Sequence, residues 1–318
     1  MTEIRTAAVV GSGYMGGGIA QCLALAGVDV ALADVSAEVA TANYERLVAE
    51  AEAFEEQGLF PAGATATIRE RLIPATSIQE AVAGAEYIQE AVPEDLTIKR
   101  DILARVEAAG ARGIIATNTS ALPIKDIADG LTDPSRFLGV HWMNPAPFVP
   151  GAEIIPHATT TQEAIDASSA LLARAGKTPA VVSDTPGFVA NRLQFALYKE
   201  AVRLVEEGVA TPSAIDDVVS TTFGFRLALF GPFAIGDMAG LDIYKASYDS
   251  LEAGYGERLA APRSLAEHVA DGELGLKSGS GFLDIPAERT AELIAYRNRA
   301  YQRLSALRAE LGPAPLGE

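Results

Sequence analysis

The stretch GVHWMNPAPFVPGAEIIP, residues 139–156, places His141 twelve positions before Glu153 in an apolar run broken by prolines. Imidazole can take and return a proton near neutrality. A carboxylate on one ring nitrogen fixes the tautomer and makes the other nitrogen a better base. Two readings stand: a general base with its carboxylate, or a structural histidine followed by an incidental glutamate. His141 ends an apolar run on the carboxyl side of an expected sheet, where open α/β sheets hold their ligands. The proline-rich turn permits Glu153 to fold back toward it, although spacing alone does not bring the two into contact.

A second constellation lies near the start. VVGSGYMGGGIA sets Gly11, Gly13 and Gly16 in G-x-G-x-x-G spacing between a β-branched run and a helical one, with Tyr14 and Met15 inside the loop. Such a loop offers a tight turn, close backbone approach to a pyrophosphate and close helix–strand packing. Asp34 closes the next apolar run about 20 residues on, where a carboxylate accepts hydrogen bonds from adenosine ribose hydroxyls and repels a 2′-phosphate. The next arginine, Arg46, is well downstream, so NAD is expected over NADP. No metal is expected.

These residues need elements to hold them. At 318 residues, two domains are the default. TAAVVGS, VDVALAD, AEYIQEAV, GIIATNTS and FLGVHWMN read as strands, separated by helical runs such as MGGGIAQCLALAG and the acidic SAEVATANYERLVAEAEAFEEQG. Strand alternating with helix predicts a doubly wound, mostly parallel α/β sheet of Rossmann type. From Asn191 onward the periodicity is helical. The expected division is a dinucleotide-binding domain over 1–186 and an all-helical domain over 187–318, ending in a frayed tail, GPAPLGE.

Composition narrows the partners. The net charge of -17 argues against nucleic acid or an anionic membrane, and an anionic substrate must then be captured by a local positive site. The single cysteine, Cys22, sits among apolar residues and reads as a small buried hydrophobe of a reducing cytoplasm. The uncharged run from Thr6 to Val28 is too glycine-rich for a membrane span, and MTEIRTAAVV lacks the pattern of a secretory signal.

GSGYMGGGIA, EAVPEDLTIK, TNTSALPI, HWMNPAP with the later EII, DTPGFVANRL and GELGLKSGSGFLD occur in this order. On these motifs the chain resembles the L-3-hydroxyacyl-CoA dehydrogenase family over nearly its whole length. The resemblance implies that His141 is the general base and that Glu153 orients and charges it. It implies that Ser120 and Asn191 bind the substrate oxygen and the nicotinamide region, and that Glu94, Lys99 and Asn118 lie on the cofactor side. A homodimer through the helical domain is also implied. Read without the resemblance, Ser120 is equally a turn serine and Asn191 equally a helix N-cap. In the implied reaction a neutral imidazole removes the hydroxyl proton while hydride leaves the same carbon for the nicotinamide.

Two features depart from acyl-CoA members, which carry a lysine where this chain has Pro150. A proline there resembles side branches that handle small acids without CoA: L-gulonate 3-dehydrogenase with lambda-crystallin, and carnitine dehydrogenase. IQEAVPEDL and NRLQFALYKEAVRLVEEGVATPS resemble the gulonate branch. FGPFAIGDMAGLDIYK with LKSGSGF resembles the branch that holds the dehydrogenase for a 5-formyl-3-hydroxypyridine carboxylate. In addition, ERLVAEAEAFEEQGLF is acidic and free of lysine, a poor landing site for the CoA polyanion. The expected substrate is a small hydroxylated acid, of 3-hydroxy acid or pyridine carboxylate type. A short 3-hydroxyacyl-CoA is the alternative, and a non-catalytic NAD-binding structural protein the remoter one. Arg226, alone in the apolar run TTFGFRLALFGP, is a candidate clamp for a substrate carboxylate or else an ordinary salt-bridge partner. Trp142 is expected to wall the pocket, with core packing as the alternative.

Overall fold

The computed structural model describes residues 3–315; the last part of the expected frayed tail, residues 316–318, lies outside them. Eight strands form one sheet: β1 (Thr6–Val10), β2 (Asp29–Ala33), β3 (Leu72–Pro74), β4 (Tyr87–Glu90), β5 (Ile114–Thr117), β6 (Phe137–Trp142), β7 (Gly151–Pro156) and β8 (Thr178–Val181). Their order is β3-β2-β1-β4-β5-β6-β7-β8. Every neighbouring pair is parallel except β6 and β7, which run antiparallel. The five runs expected as strands are β1, β2, β4, β5 and β6. β3 is too short to show a period, and β7 follows a proline-rich turn that masks it.

Helices α1 (Tyr14–Leu25), α2 (Ala37–Glu56), α3 (Ala64–Arg71), α4 (Ile78–Val82), α5 (Leu96–Ala108), α6 (Ile124–Ala128) and α7 (Gln162–Arg174) accompany the sheet. Parallel strands covered on both faces read as unbroken apolar runs, and β6 is buried throughout. Two apolar clusters result. Val9, Leu32, Leu138 and Val140 pack with Ile19 and Leu23 of α1. Ala8, Val10, Ile88 and Phe137 pack with Leu103 and Val106 of α5. The period of two along a strand separates them, so in β6 the even-numbered residues join the first cluster and Phe137 the second.

The chain separates into two compact units, the first ending at Tyr198 and the second starting at Lys199, within α8 (Ala190–Glu206). The second unit contains α9 (Pro212–Thr221), α10 (Phe223–Leu227), α11 (Pro232–Ala239), α12 (Leu241–Tyr255), α13 (Arg263–Ala270) and α14 (Thr290–Leu311). Its buried apolar set is small: Ile215, Phe230, Ile235, Leu241 and Leu265. Asp237, fully buried, accepts the backbone N–H groups of Phe282 and Leu283 and so anchors the loop before α14.

Candidate active site

The antiparallel pairing of β6 with β7 sets Trp142 opposite Ala152, Val140 opposite Ile154, and His141 directly opposite Glu153. The twelve-residue spacing is thus a register: the turn over 143–150 reverses the chain, and the two residues become cross-strand partners. His141 Nδ1 lies 2.9 Å from Glu153 Oε2, and both side chains are buried. Glu153 Oε1 accepts the N–H groups of Val189 and Ala190, each at 2.9 Å. The carboxylate therefore joins the histidine to the start of α8. It also favours the tautomer with hydrogen on Nδ1, which leaves the Nε2 lone pair free to accept a proton. The ring packs against Phe188, 5.8 Å away between centroids. Phe188 itself has φ +50°, a left-handed conformation rare for an aromatic residue and held here by complete burial.

Pro150 precedes β7 and contributes only its carbonyl, which accepts the Thr178 N–H at 2.7 Å where β8 begins. No N–H is required there, so a proline is tolerated. Lys177 fastens the same turn from below, donating to the carbonyls of Ala146 and Val149.

Ser120 and Asn191 are brought into direct contact: Asn191 Nδ2 donates to the Ser120 carbonyl at 2.7 Å. The loop after β5 is held from its other side by Glu94, whose Oε1 accepts from Thr119 Oγ1 and from the N–H groups of Ser120 and Ala121 at 2.6–3.0 Å. Partial burial pushes the Glu94 carboxyl up. The Thr119 hydroxyl, the two N–H groups and the Lys99 ammonium outweigh that and hold it below the usual carboxylate range. Asn118 Oδ1 accepts the Trp142 N–H at 2.9 Å, linking this loop to β6 beside His141. Through these bonds His141, Glu153, Asn191, Ser120 and Glu94 lie close along one loop-and-helix framework.

Lys99 is fully enclosed, with its ammonium 2.9 Å from Glu90 and 3.5 Å from Glu94. In this structure it steadies Glu94 rather than presenting a charge on the surface. Glu90 was missed at the sequence level, although a carboxylate inside an apolar parallel strand is itself a signal, because a buried charge demands a partner. Here Lys99, Thr117 and the Val92 N–H supply it.

Trp142 is a correction. Its side chain, on the opposite face of β6 from His141, is buried in the first apolar cluster, with Nε1 donating to Gln89 Oε1 at 3.2 Å. Strand alternation makes it a core residue, so it does not wall the pocket on the histidine side. Arg226 lies in the second unit near the end of α10, without an ion-pair partner among the described residues.

At the glycine loop, a Cβ on Gly11 would fall 2.7 Å from the Ala91 carbonyl and a Cβ on Gly16 only 1.7 Å from the Gly11 carbonyl, whereas Gly13 faces open space. Gly11 also has φ +98°. Gly13 caps α1 without a side chain, which leaves the first N–H groups of the helix for an anion. Tyr14 is exposed and Met15 packs on the core. Asp34 accepts from Ser12 N at 2.6 Å, from Ser12 Oγ, and from Val35 N at 2.7 Å. A carboxylate has about four acceptor positions, so one remains for a ribose hydroxyl. Arg46 is closer than its sequence distance suggests: it donates to the Ser12 carbonyl at 3.2 Å, with its charge paired to Glu50 at 2.6 Å. Distance along the chain therefore does not keep Arg46 away from the glycine loop, and the preference for NAD rests on the Asp34 carboxylate. Asn43, Arg46 and Glu50 share one face of α2, a periodicity that could have revealed it.

Comparison with known proteins identifies the fold and chemistry. The model of the 3-hydroxyacyl-CoA dehydrogenase NAD-binding domain matches residues 6–185, and that of the C-terminal domain matches 187–285. The 5-formyl-3-hydroxy-2-methylpyridine 4-carboxylate 5-dehydrogenase of Mesorhizobium japonicum is 36% identical over 300 residues, covering 93% of this chain and 96% of the relative. A probable 3-hydroxybutyryl-CoA dehydrogenase of Bacillus subtilis is also 36% identical, over 89% of this chain and 98% of its own. The crystal structure of a 3-hydroxyacyl-CoA dehydrogenase from Archaeoglobus fulgidus aligns with TM-score 0.77 at 32% identity, covering 97% of this chain and 99% of that one. The two family models cover both halves of the chain, and the relatives align over nearly their full length. The chain belongs to the 3-hydroxyacyl-CoA dehydrogenase family and is an NAD-dependent dehydrogenase acting on the CH–OH group of a hydroxy acid or hydroxyacyl substrate.

Proposed function

We propose that the protein interconverts NAD and NADH at the alcohol carbon of a small hydroxylated acid that carries no CoA. The observation that carries the reading is the buried His141–Glu153 pair, which leaves Nε2 as the free base. His141 takes the hydroxyl proton as the substrate is oxidised, while the carbon gives up its hydride to the nicotinamide; in reverse it returns the proton. Glu153 holds the tautomer and stabilises the imidazolium that forms. Ser120 and Asn191, tied together through the Ser120 carbonyl, hold the substrate oxygen and polarise it in reduction. Gly11, Gly13 and Gly16, with Tyr14 and Met15, cradle the pyrophosphate. Asp34 takes the adenosine ribose, and Glu94, Lys99 and Asn118 build the nicotinamide side.

The absence of CoA rests on charge. Glu45, Glu52 and Glu56 are exposed on α2, which has no lysine to receive a 3′-phosphate. The relative from Mesorhizobium bears the name of a pyridine carboxylate dehydrogenase, in keeping with this class. The second reading, a 3-hydroxyacyl-CoA substrate, is favoured by the Bacillus relative at the same identity. We infer further a domain division at 186, a cytoplasmic location and a homodimer through the helical domain. The first is supported by where the two family models join, although the compact units divide later, after Tyr198. The second is supported by the lone buried thiol of Cys22. The third is supported by Val205, Val209 and Val218, apolar and exposed on the second unit.

The test is NADH formation at alkaline pH with free 3-hydroxybutyrate, L-gulonate, carnitine, hydroxymethyl- and formylpyridine carboxylates and 3-hydroxybutyryl-CoA, with His141→Ala as control. A free acid should turn over fastest and the variant should be inactive. Preference for the CoA ester would overturn the substrate class, and an active His141→Ala would overturn the mechanism.

A further inference from the structure

Glu90 closes β4 and Lys99 lies in the first turn of α5, and both side chains are completely buried. The reaction assigned above makes no use of Glu90. Every acceptor position of its carboxylate is nevertheless filled. Oε1 takes the Lys99 ammonium at 2.9 Å and the Val92 N–H at 2.7 Å, and Oε2 takes the same ammonium at 3.2 Å together with the Thr117 hydroxyl. Two ions drawn wholly out of water are weak evidence of a stabilising device, since apolar side chains of the same volume hold a fold about as well. A buried pair of this kind invites a reason beyond stability.

Lys99 also faces a second carboxylate, with its ammonium 3.5 Å from Glu94 Oε2. Glu94 Oε1 is engaged by Thr119 Oγ1 and by the N–H groups of Ser120 and Ala121. Oε2 takes no hydrogen bond among the described residues, and the side chain is 38% exposed. Two carboxylates and one ammonium leave one negative charge over. Glu90 holds the cation at the shorter distance and with both oxygens, so the surplus charge stays on Glu94, at the open end of the cluster. Without the Glu90 charge, Glu94 would be the only carboxylate in reach of Lys99 among the described residues, and that pair would be neutral.

We propose that Glu90 is a positioning residue that sets the balance between the two forms of the cofactor: it neutralises Lys99, so that Glu94 turns a negative charge toward the nicotinamide and favours the oxidised, cationic ring over the reduced, neutral one. This role rests on the reading that puts Glu94 on the nicotinamide side. It concerns relative affinity for NAD and NADH, whereas His141 and Glu153 concern the proton.

The experiment is calorimetric titration of the full-length protein with NAD and, separately, with NADH, and the quantity read is the ratio of the two affinities. It is run on the wild type, Glu94→Gln, Glu90→Gln and the double variant Glu90→Gln/Lys99→Met, with a melting temperature for each. Glutamine at position 90 keeps the shape, because its oxygen accepts from Lys99 and Val92 while its amide donates to the Thr117 hydroxyl. In Glu90→Gln and in Glu94→Gln the ratio should fall against NAD by about fivefold, the effect of one unit charge at close range in water. The double variant should return to the wild-type ratio, since the cation and its partner leave together. A merely structural role would weaken both affinities alike, and that result overturns the proposal, as does a double variant that stays at the lowered ratio. If Glu90→Gln melts too low to titrate, the double variant decides alone: a ratio below that of the wild type overturns the proposal. A fall in Glu94→Gln without one in Glu90→Gln refutes the role of Glu90 and leaves the nicotinamide reading standing. A ratio unmoved by Glu94→Gln refutes the placement of Glu94 beside the nicotinamide, and the role of Glu90 with it.

Discussion

Glu153→Gln tests the mechanism more sharply than removal of the histidine. Two backbone N–H groups, from Val189 and Ala190, point at Oε1, and His141 Nδ1 points at Oε2. A glutamine has one acceptor oxygen. Placed toward His141, its amide nitrogen would face two donors and leave both unpaired, at about 1–3 kcal/mol each. The oxygen therefore stays on the backbone side, and the amide N–H donates to Nδ1. That bond requires an unprotonated Nδ1 and moves the hydrogen to Nε2, where the base is lost. A tautomer trapped in this way costs about 10⁴ in turnover in a serine protease, so a loss of about 10³–10⁴ is expected, equal to about 4–5.5 kcal/mol of transition-state stabilisation. Stability should change by no more than about 1 kcal/mol, because the hydrogen-bond count is preserved. The assay is steady-state NADH formation at several pH values, with melting temperature and NADH binding as controls. Activity within tenfold of wild type refutes the tautomer argument. A rate fully restored at alkaline pH would also refute it, since Glu153 would then act through its charge alone.

Further outcomes follow from the same geometry. Gly16→Ala should destabilise the fold by about 3 kcal/mol, because its Cβ would meet the Gly11 carbonyl at 1.7 Å. Gly13→Ala, facing open space, should leave the melting temperature unchanged while weakening NADH binding measured by fluorescence; equal effects on both properties would contradict the placement of the loop. Burial pushes the Cys22 thiol up to about 11 against a smaller opposing pull from Lys177, so the folded protein should resist iodoacetamide at pH 8 and react only when unfolded. Glu94 is held below the usual range, so its stabilisation is complete above that range and lost as pH falls through its lowered value. The difference in melting temperature between wild type and Glu94→Gln should therefore shrink on acidification, and a difference that grows would reverse the assignment.

Most of the fold was legible because its signals are local. The apolar runs of β1, β2, β4, β5 and β6, the glycine spacing and the switch to helical periodicity depend on neighbours within a few residues. The order of motifs also named the family. The site was legible only as a set of candidates. Ser120 and Asn191 are 71 positions apart, and nothing local predicts that the amide of one donates to the carbonyl of the other. The same limit hid the Lys99–Glu90 pair and the return of Arg46 to Ser12.

The sequence by itself determined which groups were at hand: a histidine and a glutamate able to share a proton, a loop able to approach a phosphate, and a net charge that leaves acidic ligands to a local positive site. Tertiary structure decided which of them meet. The antiparallel register of β6 and β7 sets His141 opposite Glu153, and the same alternation turns Trp142 into the core. A period of two makes side-chain direction depend on register, and register is a property of two strands and the turn between them, which neither strand contains alone.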